Sequence, residues 1–174
     1  MNKEEREKLI LEKIKEEEML EHIKIEGAKE LTWDVLINDK LYKPEEIKID
    51  PSFNIKMKDC EAVLTLDYLI VINSCYFLII KCSPSIESWE RYIKAVARIS
   101  TDYQIPYAMV TNGFNAKIID IISDKIIGNN INELFNRKEA IEYANNFNKI
   151  PFPADKSERE KRIAYAFEGI KCKI

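Results

Sequence analysis

Residues 66–82 read LDYLIVINSCYFLIIKC, two apolar runs joined at Asn73-Ser74. Runs that are apolar on successive residues belong at the centre of a sheet covered on both faces, because a half-exposed strand alternates instead. The stretch is interrupted by Asn73-Ser74 and bounded by Asp67 and Lys81. It is therefore too short to span a bilayer, which needs roughly 20 apolar residues. A buried hairpin, with strands over 62–72 and 75–82, is the expectation, and the rest of the chain must supply the layers that cover it.

Residues 2–26 are dense in Glu and Lys, with Leu9, Ile10, Ile14, Leu20 and Ile23 at helical spacing on one face. Gly27 reads as a stop signal. A charged amphipathic helix over 1–30, packed on the core, is predicted; a partner-binding or DNA-facing arm is the functional alternative. Residues 31–41 read as a second short helix with Thr32 as cap, ended by Tyr42-Lys43-Pro44. Residues 47–49 and 53–57 alternate apolar and polar, as half-exposed strands do.

Past the break at Ser83-Pro84-Ser85, residues 86–100 read as a helix, with Trp89, Tyr92, Ile93, Val96 and Ile99 on one side. Strands over 107–110 and 116–122 flank the turn signal Asn112-Gly113. Helices follow over 132–146 and 157–168, the last with Ser157 and Glu160 set as a capping box. This order predicts an α/β (α+β) fold, a central mixed β-sheet flanked by helices, in a single domain over 31–174.

A chain of 174 residues, 46% hydrophobic and 33% charged, can bury a real core as one soluble domain. Its formal charge of −3 argues against a broad basic surface holding nucleic acid by phosphate contacts alone. Any DNA contact must be local. Cys60, Cys75, Cys82 and Cys172 form no CxxC pair and His22 is the one histidine, which argues against structural zinc and for reduced thiols. With no signal-peptide pattern at the charged N-terminus, a cytoplasmic protein with no membrane contact is expected.

The hairpin also places chemistry. Asp67 stands near the start of its first strand and Lys81 near the end of its second. Metal-dependent phosphodiester hydrolysis needs hard oxygen ligands for Mg2+ and a cation to stabilise the charged phosphate. The two-residue period puts positions 79 and 81 on one face, so an acid at 79 would complete the site. Here that residue is Ile79. The structural alternative is an ion pair between Asp67 and Lys81.

Four segments carry a resemblance: Tyr42-Lys43-Pro44-Glu45-Glu46-Ile47-Lys48-Ile49-Asp50, Leu66-Asp67-Tyr68-Leu69-Ile70-Val71, Phe77-Leu78-Ile79-Ile80-Lys81-Cys82-Ser83-Pro84, and Pro106-Tyr107-Ala108-Met109-Val110-Thr111-Asn112-Gly113 with Ala116-Lys117-Ile118-Ile119-Asp120. Together they resemble the N-terminal nuclease domain of type I restriction enzyme R subunits, a branch of the PD-(D/E)XK, restriction-endonuclease-like superfamily. The residues 161–167 have the flavour of the same group.

The resemblance implies a restriction-endonuclease-like fold and Mg2+-dependent DNA cleavage. It makes Asp67 the metal-binding aspartate and Lys81 the catalytic lysine, with Ile79 where the family has its glutamate. Glu90, with Glu87 one turn earlier, is the candidate replacement ligand, and Asp50 a candidate auxiliary one, or a turn residue before Pro51. Thr111 and Asn112 are candidate DNA contacts, or parts of an ordinary turn. Arg91 and Lys94, with Arg98, recur at helical spacing and are candidate backbone contacts, or a solvated helix face.

The chain contains no Walker A pattern, so it is expected to act alone or with separate partners: DNA, other restriction-system subunits, or further copies of itself. Three readings follow: a working or weakened hydrolase, a catalytically inactive nuclease-fold module that binds protein or nucleic acid, and a structural or interaction protein with no nucleic-acid role. The first two differ at position 79. A glutamate there would meet Asp67 around a cation if the pocket keeps its shape, and would be buried unpaired if the position has become core.

Overall fold

The computed structural model describes residues 2–171. Its strands are β1 (Ile47–Ile49), β2 (Ser52–Lys56), β3 (Glu61–Thr65), β4 (Tyr68–Ile72), β5 (Cys75–Cys82), β6 (Tyr107–Thr111), β7 (Asn115–Asp120) and β8 (Lys125–Asn130). The helices are α1 (Lys3–Asp34), α2 (Ile86–Ile99), α3 (Arg137–Asn146) and α4 (Ala154–Lys171).

The hairpin sits at the centre as its composition requires. Asn73 and Ser74 take φ of 49° and 63°, the left-handed pair of a tight two-residue turn. β4 and β5 pair antiparallel, and β5 then pairs with β6 in parallel, the crossover between them carrying α2. The full order β1-β4-β5-β6-β7-β8 makes a six-stranded mixed sheet with helices on both faces, an α+β fold.

Side chains alternate between two cores. Leu78, Ile80 and Cys82 face a cluster with Ala28, Leu36 and Phe135. Ile79 faces the opposite one, with Leu69, Tyr92, Ile93, Val96 and Ala108.

Five expectations need correction. The strand expected over 62–72 is two strands: β3 pairs with β2 in a separate ribbon, and β4 begins afresh after Asp67. The break is hydrogen-bonded, with the Leu66 amide donating to the Pro51 carbonyl at 3.0 Å and the Asp67 amide to the Ile80 carbonyl at 3.1 Å.

Gly27 stops nothing. α1 runs through it to Asp34 and on into a π-helical turn, Val35–Asp39, because Ala28, Thr32 and Leu36 give this stretch a buried side. The arm before it is not packed on the core: every residue from 2 to 24 is exposed, Leu9, Leu20 and Ile23 included. At the C-terminal end, the helix expected from 132 starts at Arg137, capped by Asn136, and the last helix starts at Ala154, so Ser157 is no cap.

Candidate active site

The local fold brings Asp67 onto Lys81. Asp67 immediately precedes β4, opposite the end of β5, where its backbone amide bonds to Ile80. Its Oδ2 accepts the Cys82 amide at 2.6 Å and lies 3.5 Å from Lys81 Nζ. Both side chains are about nine-tenths buried, each 11% exposed. The Lys81 ammonium also stands 4.9 Å from the centroid of the Trp89 ring, on α2, an attraction to the negative ring face.

The other carboxylate oxygen faces a second ammonium that the sequence did not single out. Lys29 on α1 places its Nζ 4.0 Å from Asp67 Oδ1, 3.3 Å from Asp50 Oδ1 and 3.7 Å from Glu26 Oε1. Burial disfavours this ammonium, but the hydrogen bond and charge of Asp50, with Asp67 and Glu26, outweigh burial and raise its pKa. Three carboxylates therefore converge on one tethered cation. Nothing in the sequence marks Lys29, which is one more lysine in a Glu/Lys-rich helix; only the path of α1 across the sheet edge sets it apart.

Position 79 is core. Ile79 is fully buried, registered between Leu69 of β4 and Ala108 of β6. It shares a face with Lys81 but is roofed by α2 residues Tyr92, Ile93 and Val96.

The remaining candidates have other partners. Glu90 is held by Lys117 at 2.7 Å and Lys94 at 3.1 Å, and these hydrogen bonds hold its pKa below the usual carboxylate range against the opposing effect of burial. Glu87 reaches the same Lys117. Lys94 is further tied to Asp124 at 3.1 Å. Arg91 makes a two-point ion pair with Glu160 of α4, at 2.5 and 2.8 Å, and Arg98 approaches the same carboxylate at 3.5 Å.

Thr111 and Asn112 build the β6–β7 turn. The buried Thr111 hydroxyl donates to the Asn115 carbonyl at 2.8 Å and accepts the Gly113 amide at 3.0 Å, and Asn112 Oδ1 accepts the amides of Phe114 and Asn115.

Mg2+ wants near-octahedral oxygens at about 2.1 Å. Among the described residues no group of three Asp, Glu, His or Cys side chains is placed to hold a metal ion. Of the three expected ligands, Asp67 is engaged by Cys82 and two lysines, Asp50 by Lys29, and Glu90 by its own pair of lysines. As placed, these side chains do not fit Mg2+. The ammonium of Lys29 stands where three carboxylates meet.

Cys60, Cys75 and Cys82 are free thiols, and Cys172 lies outside the described residues. Burial pushes the Cys82 thiol up to about 12, so it is inert at neutral pH. No helix among the described residues is long and apolar enough to cross a membrane.

The family model for the N-terminus of type I restriction enzyme R proteins matches residues 26–134. The chain belongs to this family. The match contains the whole constellation, from Glu26 and Lys29 through Asp67, Ile79 and Lys81 to Asn112, and makes the protein a restriction-related domain. No curated protein and no solved structure matches the chain.

Proposed function

We propose that this is a restriction-related domain of nuclease ancestry that has lost Mg2+-dependent cleavage and acts as a binding module. The observation that carries the proposal is Lys29. A protein cation stands among Glu26, Asp50 and Asp67, while the position that should supply a further carboxylate is Ile79, sealed in core. The pair Asp67–Lys81 is then structural, an aspartate anchoring the end of β5 through the Cys82 amide with a lysine neutralising it.

The partner is protein rather than DNA. The candidate cations Arg91 and Lys94, with Arg98 and Lys117 beside them, are all ion-paired, and the chain is net acidic. Phosphate binding would first have to break those pairs.

The test compares wild type, Asp67→Ala and Lys29→Met for nicking of supercoiled plasmid and for metal-dependent thermal shift, in Mg2+ and in Mn2+. Wild type is expected to show no nicking that depends on Asp67 and no shift. In Lys29→Met the vacated carboxylates attract the metal, and the melting temperature rises with Mn2+. Robust wild-type cleavage that disappears in Asp67→Ala would overturn the proposal.

A further inference from the structure

The first three-quarters of α1 leaves the domain as a largely bare helix. Residues 3–26 form a rod of roughly 36 Å at about 1.5 Å per residue. Seven large apolar side chains stand exposed along it, from Leu9 at 53% to Ile23 at 57%. Most helical stability in proteins comes from packing an apolar face. Here the domain approaches the arm at Pro84, beside Leu20, Glu21 and Lys24, and buries none of its residues before 25.

Three of the seven, Leu9, Leu20 and Ile23, form a strip that is not a continuation of the face that docks on the sheet. At about 100° per residue they fall with Lys13 and Glu16 in a band some 80° wide, whereas Ile10 and Ile14 share the side of the buried Ala28 and Thr32, about 100–140° round from Leu9. The strip's spacing alternates four and three residues, the seam of a two-stranded coiled coil. Two of its positions are charged, and oppositely so.

We infer that this strip pairs with the same strip of a second copy of the chain, antiparallel, with Leu9 layered on the partner's Leu20 and Lys13 on the partner's Glu16. Charge selects both occupant and direction. Residues 3–15 carry five cations against four carboxylates, and residues 16–26 one cation against five carboxylates. A parallel pair sets the acidic halves together and Lys13 against Lys13. The antiparallel pair sets the acidic half on the cationic one and satisfies both polar layers at once.

A two-fold axis repeats every contact, so the interface is closed at two chains. The two domains stand at opposite ends of the rod and do not compete for space. This assignment concerns α1 alone and holds whether or not the domain cleaves DNA.

The test is sedimentation equilibrium of the full chain with four variants, their helicity checked by circular dichroism. Wild type is expected to be a dimer, and Leu20→Glu a monomer of unchanged fold. Lys13→Glu and Glu16→Lys each set like charges face to face twice per dimer and weaken it about tenfold or more, whereas the double variant Lys13→Glu/Glu16→Lys restores the pairing.

A wild-type monomer would overturn the inference and leave the strip to a different protein. So would a dimer indifferent to Leu20→Glu. Single reversals that do nothing, or a double variant that is not rescued, would overturn the antiparallel register.

Discussion

Replacing Ile79 by glutamate distinguishes a dormant metal pocket from a rebuilt core. The site is fully buried, between Leu69 and Ala108 and under α2. Glutamate forfeits about 1.5–3 kcal/mol of apolar transfer, and an uncompensated buried carboxylate costs about 3–5 kcal/mol. Lys81 shares the face but is already engaged by Asp67 and Trp89, so it offsets little of this.

A cation at a hundred times its dissociation constant would return only about 2.7 kcal/mol. The net loss that remains even with the cation, about 2–5 kcal/mol, lowers the melting temperature of a chain of 174 residues by about 4–20 °C. The assay is thermal denaturation with and without Mn2+, with Ile79→Val as the packing control, which costs about 0.5–1.5 kcal/mol. A variant that melts within about 3 °C of wild type and gains stability from Mn2+ would refute the reasoning, because it would show a pocket with room for a ligand where a packed core is described.

Gly27 is helical and a Cβ there meets nothing within 4 Å, so Gly27→Ala is expected to stabilise by about 0.5–1 kcal/mol, read as a rise in denaturation midpoint. Gly113→Ala is expected to destabilise by at least 1 kcal/mol or so on the same assay, because φ is 97° and a Cβ would sit 2.7 Å from Leu31 Cβ. Acid should unfold the protein through its paired glutamates. Burial raises the pKa values of Glu46 and Glu160, but hydrogen bonds and charge from Arg137, and from Arg91 and Arg98, hold both below the ordinary 4.5. A depressed folded pKa stabilises fully above the unfolded value, so the melting temperature is flat down to about pH 4.5 and falls below it, less steeply in Glu160→Gln.

The centre of the fold is legible because its composition permits little else. Two apolar runs with Asn73-Ser74 between them, and Asn112-Gly113 later, specify hairpins by local rules, and the meeting of Asp67 with Lys81 follows from that pairing. What escapes the sequence depends on distant partners. β8, which ends in the turn-favouring Gly128-Asn129-Asn130, is not among the strands expected above, and only pairing to β7 makes it one. The split at Leu66-Asp67 is made by hydrogen bonds to Pro51 and Ile80, and no local residue announces it. Glu160 reads as a capping residue until Arg91 and Arg98 arrive from α2. Lys29 has the composition of a solvated helix around it, and its role exists only where α1 crosses Asp50 and Asp67.

The unbroken passage of α1 through Gly27 also makes the helix a lever. Lys3 and Lys29 belong to one rigid element, about 39 Å apart at 1.5 Å per residue, with the fulcrum where Ala28 and Thr32 bed against the sheet. A force on the free tip is multiplied by that length at the fulcrum, beside which the Lys29 ammonium sits between Asp50 and Asp67. Whatever grips the arm therefore has mechanical purchase on the carboxylate cluster.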